Sequence, residues 1–192
     1  MKTTGFLIAA LLGLTLMQAC KSKPADDSEA KADSINAVKD TTKKLSIAVE
    51  KVDAEFIVEA ASGSMAEVEL GKLARQKGFN RRVKNFGTMM ITDHGKLNDL
   101  IRAIAVTKNI SIPKVPGADE QKMIKKLAEK SGRDFDKAYI SNMIEDHKQD
   151  IKVFEKAGKN CVDPDVKSFA VKTLPILQAH LDAIDAINDS IK

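Results

Sequence analysis

Residues 80–107 read NRRVKNFGTMMITDHGKLNDLIRAIAVT, and the spacing of apolar side chains in this run decides the fold. Val83, Phe86, Met90, Leu97, Ile101 and Ile104 recur at intervals of three or four, except that His94 fills the place between Met90 and Leu97. That period belongs to an amphipathic helix, not to the two-residue alternation of a strand. Asn80 is placed to cap the helix, which fades near Thr107 ahead of Pro113, Pro116 and Gly117.

The same period governs three further stretches. The first, from about Asp53 to Lys77, carries Phe56, Ala60, Ser64, Glu67, Gly71 and Ala74 on one stripe. Another, starting around Asp134, carries Phe135, Tyr139, Met143, His147, Ile151 and Phe154. The last opens on Asp163 as N-cap with Pro164 at the first helical position, and carries Phe169, Thr173, Ile176, His180, Ile184 and Ile187. A short amphipathic piece spans Asp119 to Lys130. Pro175 interrupts the last stripe, so a kink is expected there. Nothing alternates with period two, and the expected fold is all-α.

Loop lengths set the expected topology. The first and second long helices join through two or three residues and the last two through about six, so each pair is antiparallel. Roughly 25 residues, including the short helix, separate the two pairs. That length crosses from one end of a bundle to the other, as in ferritin-like four-helix bundles.

The chain has three histidines, and each falls near the middle of a different long helix, on its apolar stripe. Glu67 lies at the equivalent depth of the remaining one. The four lie within about three residues of their helix midpoints, roughly 5 Å along the axis at 1.5 Å per residue. Glu67, His94, His147 and His180 are therefore the candidate ligands of one interior metal. A carboxylate facing a core is costly unless it is protonated, paired or bound. A hydrogen-bonded polar cluster, Glu67 with a protonated His, is the structural alternative.

A local repeat flanks this set: Phe86-x-x-x-Met90-Ile91-x-Asp93-His94 recurs as Tyr139-x-x-x-Met143-Ile144-x-Asp146-His147. Asp93 and Asp146 are rotated about 100° from their histidines, so they read as flank residues able to pair with a neighbouring helix or with the outer nitrogen of a His. Met90 and Met143 lie one turn from the histidines as core fillers, although thioethers would suit Cu(I). Imidazoles suit Zn, Cu, Fe or Ni without choosing among them. The residues three before each His are Ile91, Ile144 and Leu177, so the Glu-x-x-His pattern of di-iron sites is missing. Only a mononuclear site remains.

Charge excludes another class. Thirty-one basic residues face 27 acidic ones, with no Trp and a single Tyr. Mixed charge and few aromatics argue against nucleic-acid binding.

The N-terminus is of a different kind. Lys2 precedes an apolar run from Phe6 to Met17, too short to span a bilayer and shaped like a signal-peptide core. The run closes on Leu16-Met17-Gln18-Ala19-Cys20, which resembles a bacterial lipobox with lipid attachment at Cys20. Residues 1–19 are then a signal peptide, and 20–50, rich in Lys, Asp, Ser and Ala, a lipidated flexible tether. Residues 51–192 form the bundle domain. Lys21 after Cys20 resembles lipoproteins sent to the outer membrane, facing the periplasm. Cys161, the remaining cysteine, has no intramolecular partner.

Asp53-x-x-Phe56 with Ala66-Glu67-Val68-Glu69-Leu70-Gly71-x-Leu73-Ala74, Asp93-His94, Gly132-x-x-Phe135-Asp136-x-x-Tyr139 with Met143-Ile144-x-x-His147, and Leu174-Pro175-x-Leu177-x-x-His180-Leu181 resemble domain-of-unknown-function family 4142. The resemblance implies a ferritin-like, exported, outer-membrane-associated protein and no established activity. The reading that follows is a membrane-anchored envelope protein holding one transition metal without catalysing a reaction. Alternatives are an envelope interaction or stress module with a purely structural cluster, and, third, a mononuclear metalloenzyme.

Overall fold

The computed structural model describes residues 27–42 and 50–191. Cys20 and the leader lie outside the described residues. Six helices follow in order: α1 (Ser28–Thr42), α2 (Lys51–Lys77), α3 (Arg81–Thr107), α4 (Ala118–Ala128), α5 (Gly132–Asn160) and α6 (Pro164–Ser190). Both expected caps are present. The Asn80 side chain accepts from the Arg82 amide, and Asp163 accepts from Asp165 and Val166 with Pro164 inside the first turn.

α2 pairs with α3 and α5 with α6 as two helical hairpins, and the contacts of α2 with α5 and α3 with α6 close the square. The hairpin ends fix the directions. Asp53, at the start of α2, accepts hydrogen bonds from the Val162 and Asp163 amides at the α5–α6 turn, 2.9 and 3.1 Å. Asp136, at the start of α5, accepts from Phe79 and Asn80 at the α2–α3 turn, 2.9 and 2.7 Å. α2 and α5 therefore run antiparallel. Lys108 at the end of α3 pairs with Asp163 and Asp165 at the start of α6, so α3 and α6 do too. The order is up-down-down-up, with a crossover from α3 to α5 holding α4, as the loop lengths predict. The α5–α6 connection is shorter than the expected six residues, because α5 continues through Gly158 to Asn160.

One expectation needs correction. Residues 28–42, read from composition as tether, form helix α1, which packs on α2. Its attachment is mainly polar. The Asn36 amide group donates to the Ser111 carbonyl and accepts from the Ser111 N–H, and Lys39 Nζ donates to the Asn109 carbonyl and to Ser111 Oγ. Low hydrophobicity gave no sign of this, because the bonds go to the backbone of the crossover.

Two features position the interior. Gly71 and Gly87 let α2 and α3 touch: a Cβ on either would meet the other's carbonyl oxygen at 2.6 Å. The core is also in two parts. One contains Phe56, Phe154 and Phe169 in mutual ring contact, with Leu97, Ile101 and Leu177. The other contains Leu70, Phe86, Met90, Phe135, Tyr139, Met143 and Ile184. A polar layer separates them.

Candidate metal centre

That layer is made of the histidines. Each replaces an apolar residue on its stripe: His94 follows Met90 and precedes Leu97, His147 follows Met143, and His180 lies between Leu177 and Ile184. They are 2 %, 0 % and 2 % exposed, and their ring centroids stand 5.3 to 5.9 Å apart. One ring nitrogen from each falls within 4.8 Å of the others.

Two rings are oriented by an outer partner. Nδ1 of His147 lies 2.9 Å from the Met143 carbonyl, so Nδ1 carries the proton and donates it, leaving the Nε2 lone pair free. Nε2 of His180 lies 3.3 Å from Asp93 Oδ2, which leaves Nδ1 facing inward. Asp93 also pairs with Lys96. His147 Nε2, His180 Nδ1 and both nitrogens of His94 are buried with no hydrogen-bond partner in the protein. Native proteins satisfy the large majority of such atoms, so a converging group of them calls for a partner that the protein does not supply.

The electrostatics keep these donors neutral. Burial, then the facing rings of His147 and His180, hold His94 well below the usual imidazole range. Burial and His180 bring His147 down to about 4, against the pull of its bond to Met143. Burial lowers His180 in spite of Asp93. Neutral imidazole is the form that binds a metal. Around a tetrahedral ion with nitrogens at about 2.0–2.1 Å, two donors stand roughly 3.4 Å apart. Three nitrogens within 4.8 Å are close enough for small ring rotations to close on one ion. The residues present therefore fit a transition metal.

Glu67 stands off from the triad. It is 3 % exposed, and its Oε1 lies 3.8 Å from His147 Nδ1, the protonated edge of the ring, while Oε2 has no partner. Burial, then Asp150 and Asp146, raise its carboxyl well above the usual carboxylate range. The buried Tyr139 hydroxyl also has no partner, and burial followed by Glu67 and Asp146 raises its ionisation well above 10.

The two flank aspartates part company despite the sequence repeat. Asp93 reaches His180; Asp146 reaches no His and lines a groove of about 240 Å³ between α2, α4 and α5 with Glu59, Glu67, Glu120 and Asp150. Burial, then Glu120 and Glu145, raise Asp146 to about 6, and burial, then Asp146, Glu59 and Glu120, raise Asp150 to about 7. A separate cavity of about 20 Å³ touches His94 and shares Glu59, Gly63, Asp150 and Val153 with the groove. Sequence reasoning passed over Glu59, Glu120 and Asp150. The four-residue spacing of Glu59, Gly63 and Glu67, and of Asp146 and Asp150, was the available signal. Met90 and Met143 are fully buried fillers of the neighbouring core.

Among known proteins, the family described as "Domain of unknown function (DUF4142)" matches residues 38–187. No curated protein matches the chain. Two solved structures share the fold. CopM in its Cu(I)-bound form superposes with TM-score 0.60 at 15% identity, covering 72% of this chain and 96% of CopM. A DUF305 protein from Streptomyces coelicolor gives TM-score 0.61 at 13% identity, covering 71% of this chain and 91% of the other.

Proposed function

Because the chain belongs to the DUF4142 family, whose description names no activity, we propose its function from the centre itself: it binds one transition-metal ion between His94, His147 and His180 and performs no reaction on it. The observation that carries this reading is the convergence of partnerless, neutral ring nitrogens within 4.8 Å, two of the rings held by Met143 and Asp93. Such an ion would supply a partner to one nitrogen of each ring, and Glu67 would stand behind His147, 3.8 Å from its Nδ1.

The non-catalytic part rests on space. The rings are at most 2 % exposed, and the cavity that touches His94 holds about 20 Å³, room for one water and not for an organic substrate. The shared fold with Cu(I)-bound CopM makes copper the first metal to try, with Zn, Fe and Ni beside it. The leader and Cys20 favour attachment to the bacterial envelope, facing the periplasm, through more than one acyl chain.

Elemental analysis of residues 21–192, purified without chelator or affinity metal, tests the centre. About one equivalent of a single transition metal, lost in His147→Ala with helix content kept, is the expected result. A protein that is empty and takes up no added Cu, Zn, Fe or Ni would make the cluster structural. The anchor is checked separately: palmitate labelling is expected to vanish with Cys20→Ser, and labelling that survives would remove it.

A further inference from the structure

The triad lies between two apolar clusters and nears the surface on two sides: His180 through Asp93, 31 % exposed and paired with Lys96, and His94 and His147 through the side formed by α2, α4 and α5. The groove between α2, α4 and α5 is lined by Glu59, Glu120, Asp146 and Asp150, with Glu67 at its floor. Among the described residues no Lys or Arg forms an ion pair with Asp146 or Asp150; Lys156 offsets part of the field at Glu59. Glu67 is the second sign of a ligand here. It is 97 % buried by its 3 % exposure, it lines the groove, and its Oε2 has no partner.

The groove meets the centre twice. Glu67 Oε1 stands 3.8 Å from the His147 ring. Glu59, Gly63, Asp150 and Val153 are also the wall of the small cavity that touches His94. At Gly63 there is room for a side chain: a Cβ built there would find Asp150 Oδ1 as its nearest neighbour beyond its own helix backbone, at 4.0 Å. Hard carboxylates hold hydrated cations loosely, whereas imidazoles bind the bare transition metal more tightly. Oxygen donors outside and nitrogen donors inside therefore form a downhill sequence.

We propose that this carboxylate-lined groove is the entrance of the histidine centre, where Glu59, Glu120, Asp146 and Asp150 capture a hydrated transition-metal cation and pass it by Gly63 and Glu67 to His94 and His147. The inference rests on the proposed metal binding and adds its route. Acidic clefts raise cation association rates by about 10–1,000-fold at low ionic strength.

The test is stopped-flow quenching of the single tyrosine, Tyr139, on mixing metal-free residues 21–192 with Co²⁺ or Cu²⁺ at pH 8, above the ionisation of Asp146 and Asp150, beside equilibrium titration of the same samples. Glu59→Gln/Asp150→Asn is expected to slow association about tenfold at low salt and to flatten its salt dependence, with one equivalent still bound. Gly63→Leu, which fills the space shared by the groove and the cavity without touching charge, is expected to slow association and dissociation together and leave Kd unchanged. Circular dichroism identifies a misfolded variant, for which Glu120→Gln on the outer rim is the substitute. Rates within twofold of the parent, with one equivalent bound, would overturn the entrance and leave the metal reading standing. A parent protein that binds neither ion nor any other transition metal would overturn both.

Discussion

Asp53 and Asp136 perform the same task at opposite ends of the bundle. Each stands at the start of the leading helix of one hairpin, buried, and its two carboxylate oxygens accept the two successive backbone amides of the other hairpin's turn. The hairpins are thus tied reciprocally. Replacing either Asp by Ala strips two charge-assisted bonds and leaves two amides unsatisfied, a loss of about 2–4 kcal/mol. Urea unfolding is expected to show this for each, with the double variant near the sum because the sites share no partner. A near-neutral Asp136→Ala would show that the tie is ornamental.

The glycine contact between α2 and α3 predicts opposite signs at two glycines of one helix. Gly87→Ala puts a Cβ 2.6 Å from the Gly71 carbonyl oxygen and 2.8 Å from Ala74 Cβ. Separating the helices to admit it costs about 1–3 kcal/mol. A Cβ at Gly95 meets nothing within 4 Å, so Gly95→Ala is expected to stabilise by about 0.5–1 kcal/mol through helix propensity. Thermal melts of the two variants should move in opposite directions.

Asp150 gives a pH dependence with a definite sign. Its folded ionisation is raised from 3.8 to about 7, so the folded state holds the proton more tightly than the unfolded chain. The contribution to stability is full below about 4 and is lost as pH rises through 7. Asp150→Asn is therefore expected to stabilise the metal-free protein at pH 8, by at most about 4 kcal/mol for a shift of this size, and to have little effect near pH 4. Equal effects at both pH values would contradict the burial of this carboxylate.

Cys161 is expected to be inert in the folded protein. It is 1 % exposed, and burial, aided by the Asp53 carboxylate, pushes its thiol up to about 12. Almost no thiolate exists at pH 8. Iodoacetamide should leave it unmodified until denaturant is added, and rapid labelling of the native protein would show that the α2–α5 end opens readily.

The legible parts of this fold were those written locally. Asn80, Asp163 and Pro164 mark helix starts through bonds to their own next residues, and the stripe through Phe86, Met90, His94 and Leu97 states which face is buried. Depth along an axis was equally readable, which is why three histidines on three helices could be assigned to one level. Rotation about the axis was not. Glu67 shares that level yet sits behind the His147 ring, because a stripe is more than 100° wide. Helix α1 and the acidic groove depend on where the crossover docks, through pairs such as Asn36 with Ser111. No periodicity records such contacts. Asp93 and Asp146 show the same limit: equal in the repeat, they differ because one faces α6 and the other faces α4.

The division into two tied hairpins has a mechanical consequence. His94 belongs to the α2–α3 hairpin, while His147 and His180 belong to the α5–α6 hairpin, so neither half carries all three rings. An occupied centre would act as a rivet through the seam, placed midway between the clamps at Asp53 and Asp136. Its free energy would oppose hinge-like parting of the two halves, so the loaded bundle would be stiffer across this seam than the empty one.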